Sequence, residues 1–182
     1  MLYSFVSQLG AGLGLCGILA HRMTLSSCSS SPDSESNANN NKTAVFLTDG
    51  DTDALVQLHE NIERNKSKCG EGIISSHQLL WGCQMAMDFL RHRYGQTFDV
   101  VLASDVIYVA DIIPPLWETI QTLLKSNGVF LLAYAKRKVP VSFDLVLSAA
   151  QQAGFTHECL QEDNADNSLY LYAFRWKNDN AK

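Results

Sequence analysis

The chain has 182 residues, of which 46% are hydrophobic and 18% charged, a composition typical of a globular protein with one domain. Its net charge of -5 argues against broad binding to nucleic acid, which requires a basic surface. Five scattered cysteines without a CxxC pair indicate neither a metal site nor a disulfide framework, so we expect a cytoplasmic or nuclear protein. The apolar stretch 9–20 is too short to span a membrane. We expect a monomer with neither a membrane nor a nucleic-acid partner.

Apolar strands alternate with amphipathic helices along the chain. Strands are predicted at 5–9, 44–48, 73–80, 98–103 and 128–134. Helices are predicted at 13–23, 51–66, 85–94, 112–125 and 142–153, the last closed by Gly154 at its C-cap. The tail is predicted to form two strands, 156–160 and 169–176, joined by the acidic turn 161–168. This order predicts a doubly wound, mostly parallel α/β sheet that ends in an antiparallel hairpin.

A serine- and asparagine-rich run interrupts this pattern between the first helix and the second strand. Its residues, 26–41, bury too little apolar surface to offset the entropy of ordering them, so a disordered surface loop is predicted. We therefore predict one domain over 1–177, with a disordered insertion at about 25–42 and a flexible tail at 178–182.

A glycine-rich turn follows the first predicted strand. Gly10, Gly12 and Gly14 allow a tight turn and a close approach of the backbone to a ligand at the start of a helix. The dinucleotide fingerprint GxGxxG needs glycine or alanine where this chain has Leu15. The GxGxG spacing therefore favours a ligand without a pyrophosphate, although a simple turn between strand and helix would give the same residues.

An aspartate follows the second predicted strand. Asp49 is placed to accept hydrogen bonds from the two ribose hydroxyls of an adenosine, or else to cap the next helix, for which Asp51 is better placed. Such a carboxylate usually lies about 20 residues after the glycine turn. Leaving out the polar run 26–41 restores that separation.

The next two strands also end in side chains suited to a ligand site. Trp81, which Gly82 follows, is predicted either to flank an adenine or to pack in the core. Asp105 and Tyr108 follow the near-continuous apolar strand 98–103 and form a DxxY motif. At that position an aspartate could orient an amine or accept its proton, and a tyrosine could line the entry.

Together these pieces resemble the seven-β-strand lysine methyltransferases of the methyltransferase-like 21 / family 16 group. The matching segments span most of the chain in the family's order: 9–18, 47–50, 80–82 and 103–108. The resemblance implies a class I methyltransferase fold and S-adenosylmethionine as cofactor. The site residues that it implies are Gln8, Gly10, Gly12, Gly14, Asp49, Trp81 and Ala103 for the cofactor, and Asp105 and Tyr108 for the substrate lysine and catalysis. It further implies a protein substrate, such as a translation factor or a chaperone.

The chain departs from the family pattern at Gln8, where the family has an acidic residue, and it begins inside the first strand. We therefore expect an N-terminally truncated form. Three other functions stay open: methylation of a small molecule or a protein histidine, a catalytically silent fold that binds a protein, and an NAD-dependent oxidoreductase. Leu15 and the terminal hairpin disfavour the last of these.

Overall fold

The computed structural model describes residues 3–26, 42–66, 72–93, 95–135, 141–162 and 169–177. The chain divides into two compact units, residues 1–78 and 79–182. The strands are β1 (Tyr3–Leu9), β2 (Lys42–Asp49), β3 (Ile73–Gln78), β4 (Phe98–Ser104), β5 (Leu124–Ala135), β6 (Phe155–Glu162) and β7 (Leu169–Trp176). The helices are α1 (Leu15–Ser26), α2 (Thr52–Lys66), α3 (Cys83–Arg91), α4 (Ile113–Leu123) and α5 (Phe143–Gln152), with a 3-10 turn at Ala110–Ile112.

The first unit is a parallel sheet in the order β3-β2-β1. Its strands carry apolar residues on both faces, and Leu9, Val45 and Leu47 are completely buried, as expected for parallel strands that helices cover. From α2, Leu58 and Ile62 are buried. These two residues are four apart and therefore lie on the same side of the helix.

The second unit is a mixed sheet in the order β4-β5-β7-β6. Strands β4 and β5 are parallel, whereas β7 is antiparallel to both β5 and β6. Trp117 of α4 lies at the centre of the core. The centroid of its ring lies 5.0 Å from that of Phe174, 5.7 Å from that of Phe130 and 5.4 Å from that of Phe155. Such edge and tilted ring contacts are favourable aromatic geometries.

The predicted elements are present, including the terminal antiparallel hairpin, but several boundaries differ. Strand β3 ends at Gln78 and α3 spans Cys83–Arg91, so the predictions of 73–80 and 85–94 were wrong at those ends. Strand β5 starts directly after α4, because Leu124 already has extended backbone angles while its N–H still bonds to the carbonyl of Ile120. The C-cap of α5 is Ala153, and Gly154 follows it with φ 88°.

The predicted polar loop lies mostly outside the described residues. The predicted turn 161–168 was wrong at its start, because Gln161 and Glu162 still belong to β6, and its other residues lie outside the described ranges. Helix α1 continues to Ser26, three residues beyond the predicted end. Among the described helices none is both long and apolar enough to cross a bilayer. Within the same ranges, no group of three or more histidine, cysteine or acidic side chains is placed to hold a metal ion.

Candidate functional site

The glycine turn connects β1 to α1 with three left-handed residues. Gly10, Gly12 and Gly14 have φ values of 57°, 51° and 87°, a region that side chains with a Cβ atom rarely adopt. The turn is fixed by the N–H of Ala11, which donates to the carbonyl of Thr48 at 2.9 Å, and by the N–H of Gly14, which donates to Ala11 at 2.8 Å. The motif thus has the backbone shape that its sequence predicts.

Two of these glycines have different surroundings. A Cβ atom at Gly14 would lie 2.4 Å from Cδ1 of Leu58 and 2.9 Å from Cδ2 of Leu47, so this position is a close contact between the turn and the core. A Cβ atom at Gly12 would meet no atom within 4 Å. The backbone at Gly12 therefore borders open space, which a ligand could occupy.

Asp49 joins the end of β2 to the glycine turn. Its Oδ2 accepts a hydrogen bond from the N–H of Gly12 at 2.8 Å, and its Oδ1 accepts one from the N–H of Asp51 at 3.0 Å. Asp51 caps α2, because its Oδ1 accepts hydrogen bonds from the N–H groups of Asp53 and Ala54 at 2.7 and 3.3 Å. The expectation that Asp51 rather than Asp49 caps this helix is thus confirmed.

Gln8 is buried beneath the turn, with only 3% of its surface exposed. Its Oε1 accepts a hydrogen bond from the N–H of Gly17 in the first turn of α1 at 2.7 Å, and its carbonyl accepts one from the hydroxyl of Thr48 at 2.9 Å. The side chain thus satisfies one of the backbone donors that a helix leaves unpaired at its start. A role of Gln8 toward the cofactor stays a prediction.

In the second unit, Trp81 is half-buried at the entrance to α3. Side chains of α4 stabilise the turn beside Trp81. The hydroxyl of Thr119 accepts a hydrogen bond from the N–H of Gly82 at 2.8 Å. The carboxylate of Glu118 accepts one from the N–H of Cys83 at 3.2 Å. Sequence reasoning missed both α4 residues because they lie more than one element away in the chain. The adenine role of Trp81 stays a prediction.

The DxxY motif follows β4 in a turn whose two middle residues are buried. Asp105 has a φ of 56°, and among the described residues no other non-glycine residue has a positive φ. Its N–H donates a hydrogen bond to the carbonyl of Ala133 at 3.0 Å. Val106 and Ile107 are buried, whereas Tyr108 is 50% exposed. The two apolar residues thus anchor the turn, and the aspartate and the tyrosine remain near its surface.

A cavity of about 560 Å³ opens beside Asp105. Its described lining comes from the ends of β4 and β5 and from both strands of the hairpin: Ser104, Asp105, Ala133, Tyr134, Ala135, Gln161, Leu169, Tyr170 and Leu171. Burial raises the pKa of Tyr134, so its hydroxyl stays protonated at neutral pH. Neither Tyr108 nor Ala103 is in this lining, and the side chain of Ala103 is buried in β4.

Sequence reasoning identified Asp105 but missed the hairpin residues that share its cavity. Gln161 and Tyr170 lie far along the chain and belong to no local motif. The alternation of Tyr170, Tyr172 and Phe174 along β7 was the available signal, since residues two apart lie on one face of a strand.

Comparisons with known proteins agree with this geometry. A family model described as lysine methyltransferase matches residues 3–143. A UPF0665 family protein of Schizosaccharomyces pombe is 31% identical over 72% of this chain and 33% of its own length. The protein-lysine N-methyltransferase EFM6 of Saccharomyces cerevisiae is 28% identical over 73% of this chain and 50% of its own length. The chain thus spans between a third and a half of these relatives.

A solved structure extends the likeness to the fold. Magnesium protoporphyrin IX methyltransferase from Synechocystis, with bound S-adenosylmethionine, aligns with a TM-score of 0.59 at 12% identity, covering 96% of this chain and 71% of that one. The likeness confirms the predicted doubly wound fold of class I methyltransferases with its antiparallel end. Because the family model covers most of its length, this chain belongs to the lysine methyltransferase family.

Proposed function

We propose that this protein transfers a methyl group from S-adenosylmethionine to the side chain of a lysine in a protein substrate. The observation that carries the proposal is the DxxY turn after β4. There a half-buried aspartate with φ 56° borders a cavity, while the tyrosine three residues on is half-exposed. Strained backbone at a ligand-facing turn is a recognised mark of a functional position, and family membership supports the acceptor.

The residues of the glycine turn fit the adenosine part of this cofactor. The open space beside Gly12 leaves room for a ligand against the backbone. Asp49 accepts one hydrogen bond on each carboxylate oxygen, and each oxygen has capacity for another, as the two ribose hydroxyls require. When bound, S-adenosylmethionine supplies a methyl group activated by its positively charged sulfur.

The side chains of the second unit would act on the acceptor. The lysine ammonium must first lose one proton, to the Asp105 carboxylate or to water, because only the neutral amine has the electron pair that forms the new C–N bond. The electron pair of the broken C–S bond remains on sulfur, and the methylated nitrogen carries the positive charge. Asp105 would accept a hydrogen bond from the amine and orient it, and Tyr108 would border its entry. Orientation and exclusion of water supply most of the rate in such a transfer.

A calorimetric titration with S-adenosylmethionine tests the first half of the proposal. We expect saturable binding with one site per chain. A flat titration at millimolar cofactor would contradict the proposal for this chain.

Transfer of a radiolabelled methyl group tests the second half. The acceptors would be peptide arrays of matched sequence that contain lysine, histidine or norleucine at one position. We expect label on the lysine peptides alone, and we expect Asp105→Ala to lose at least about a hundredfold in transfer while keeping cofactor affinity. Asp111→Ala, an equal loss of charge at an exposed site nearby, is the matched control and should retain transfer. Label on histidine peptides instead would assign a different acceptor.

A further inference from the structure

A second cavity opens in the second unit, at the other end of β5 from the cavity beside Asp105. Its volume is about 460 Å³, a size typical of small-molecule sites. We propose that this cavity is a separate ligand site, which binds a small molecule through an oxyanion group, either a phosphate or a carboxylate. Its described lining comes from the start of β5 and from both strands of the hairpin: Ser126, Asn127, Gly128, Thr156, Arg175 and Trp176.

The β5 side of the cavity is a bulge in the β4–β5 ladder. Phe98 pairs with Leu124, and Val100 pairs with Val129. Between these two pairs β5 has the four residues 125–128, whereas β4 has only one. A bulge takes backbone groups out of the ladder, and bulges are frequent beside functional sites. The bulge therefore directs attention to the cavity that it borders.

Contacts at both ends of the bulge fix its shape. The ammonium of Lys125 bonds to the carboxylate of Asp99 at 2.7 Å. The carbonyl of Lys125 accepts a hydrogen bond from the indole N–H of Trp176 at 3.1 Å. A Cβ atom at Gly128 would lie 2.8 Å from Cδ1 of Leu124 and 3.1 Å from the carbonyl oxygen of Asp99, so glycine alone fits without displacing a neighbour. The cavity is thus preformed, which lowers the entropy lost when a ligand binds.

The polar side chains around the cavity suit an anion. The described lining contains one cation, Arg175, and no acidic side chain. Arg175, Ser126 and Asn127 are exposed, and their side chains form no hydrogen bond or ion pair with another described residue. A guanidinium offers a fork of N–H donors that matches the oxygens of a phosphate or a carboxylate. The hydroxyl of Ser126 and the amide of Asn127 can donate to the same group.

Trp176 gives the cavity an apolar wall. Its ring is half-buried and packs on the ring of Phe155, with the centroids 4.3 Å apart. A ligand with an apolar body beside its oxyanion can therefore use both kinds of surface, whereas a bare ion cannot. Because the whole chain carries a net charge of -5, its overall field does not attract anions. Binding would then depend on the local guanidinium of Arg175.

The site is remote from the proposed methyl transfer. Gly128 lines this cavity and Ala133 lines the one beside Asp105. The two residues are five apart on β5, which corresponds to roughly 17 Å along an extended strand. The inference therefore does not depend on the proposed function, and the two sites are expected to bind their ligands independently.

The test uses phenyl phosphate and benzoate as probes, titrated separately into the whole chain and followed by NMR at the indole N–H of Trp176. The chain has three tryptophans, so Trp176→Phe identifies this signal by its loss. We expect a saturable shift with at least one of the two anions, and the tighter one identifies the oxyanion. Benzyl alcohol, which has the ring without the charge, should give no saturable shift.

Arg175→Gln removes the charge but keeps a long polar side chain, and it should weaken binding of the anion about tenfold. Lys177→Gln is the matched control, since it loses the same charge at a residue outside the described lining, whose ammonium donates to the carbonyl of Gln151 at 2.8 Å. It should bind like the parent, and circular dichroism would establish that both variants are folded. Equal weakening in the two variants, or no saturable shift with either anion at millimolar concentration, would overturn the proposal.

A last titration separates this site from the cofactor site. Saturating S-adenosylhomocysteine should leave the affinity for the anion unchanged, because the two ligands would bind to different loops. Competition between them would show that the anion occupies the cofactor site, and the proposal would be wrong. Every readout is a binding measurement, so a chain that transfers no methyl group would still test the inference.

Discussion

The two loops that we propose to bind ligands, one in each unit, are built in different ways. In the first unit, the motif groups bond to one another, since Asp49 accepts the N–H of Gly12 and Gln8 accepts the N–H of Gly17. In the second unit, Asp105 is held at φ 56° and Tyr108 is half-exposed. One loop is a preformed backbone cradle, and the other places Asp105 beside an open cavity.

The difference matches what each loop is proposed to bind. An adenosine group offers fixed hydroxyls and a flat base, so a rigid cradle of backbone and carboxylate loses little entropy on binding it. A protein side chain enters from outside, and its recognition needs groups that remain accessible. Substitutions of the glycines in the first loop should therefore act through packing and backbone shape, whereas loss of the Asp105 carboxylate in the second loop should act on methyl transfer.

The largest effect on stability is expected at Gly14. Gly14→Ala places a Cβ atom 2.4 Å from Leu58 and forces alanine into a left-handed conformation, and we expect a loss of about 3 kcal/mol in the free energy of unfolding. Gly12→Ala meets no atom within 4 Å and should cost only about 1 kcal/mol from the backbone. Urea unfolding of both variants measures the difference. Equal losses would mean that the packing of Gly14 against the core contributes nothing.

A smaller effect is expected at Asp49 and should appear in cofactor affinity. Asp49→Asn keeps the shape but removes the charge that strengthens its hydrogen bonds, and we expect S-adenosylmethionine to bind about tenfold more weakly, or about 1.4 kcal/mol. Asp51→Asn is the control, because asparagine caps a helix as well as aspartate does, and its affinity should be that of the parent. Calorimetry on both variants decides the matter. An equal loss of S-adenosylmethionine affinity in the two variants would show that Asp49 has no specific role in binding the cofactor.

The same contrast explains how much the sequence could reveal. The glycine turn was recognisable because its residues are adjacent in the chain and the required backbone shape restricts them to glycine. The DxxY motif was recognisable for a similar local reason. The cavity wall was not, because Gln161 and Tyr170 meet Asp105 only through the pairing of β5, β6 and β7. The early start of β5 was also hidden, since its first residues include the polar segment 125–127.

A third prediction concerns the strain at Asp105. Asp105→Gly and Asp105→Ala both remove the carboxylate, so both should lose methyl transfer. Glycine adopts φ 56° without penalty, whereas alanine does not, and we expect the glycine variant to be the more stable of the two by about 1 kcal/mol. Thermal and urea unfolding of the two variants measure this difference. Because both variants lack the carboxylate, its loss does not enter the comparison. If the alanine variant were as stable, the turn would relax on mutation and the observed φ would not be imposed by the fold.

The smallest effect is expected from His21 of α1 and depends on pH. His21 is 1% exposed, and burial lowers the pKa of its imidazole, a shift that a hydrogen bond with the backbone of Gly72 partly opposes. The unfolded chain therefore binds a proton at His21 more readily than the folded chain. Stability from this residue is complete above the unfolded pKa of about 6.5 and decreases as the pH falls below it.

His21→Gln cannot titrate in this range, so its loss of unfolding free energy between pH 7.5 and pH 5.5 should be smaller than that of the parent. Urea unfolding at several pH values gives both profiles, and their difference isolates His21 from the other histidines. Parallel profiles would show that His21 carries its proton equally well in the folded chain. The effect belongs to the first unit, where the folded structure excludes water from an imidazole that is protonated in the unfolded chain below about pH 6.5, and the cavity beside Asp105 should be unaffected by it.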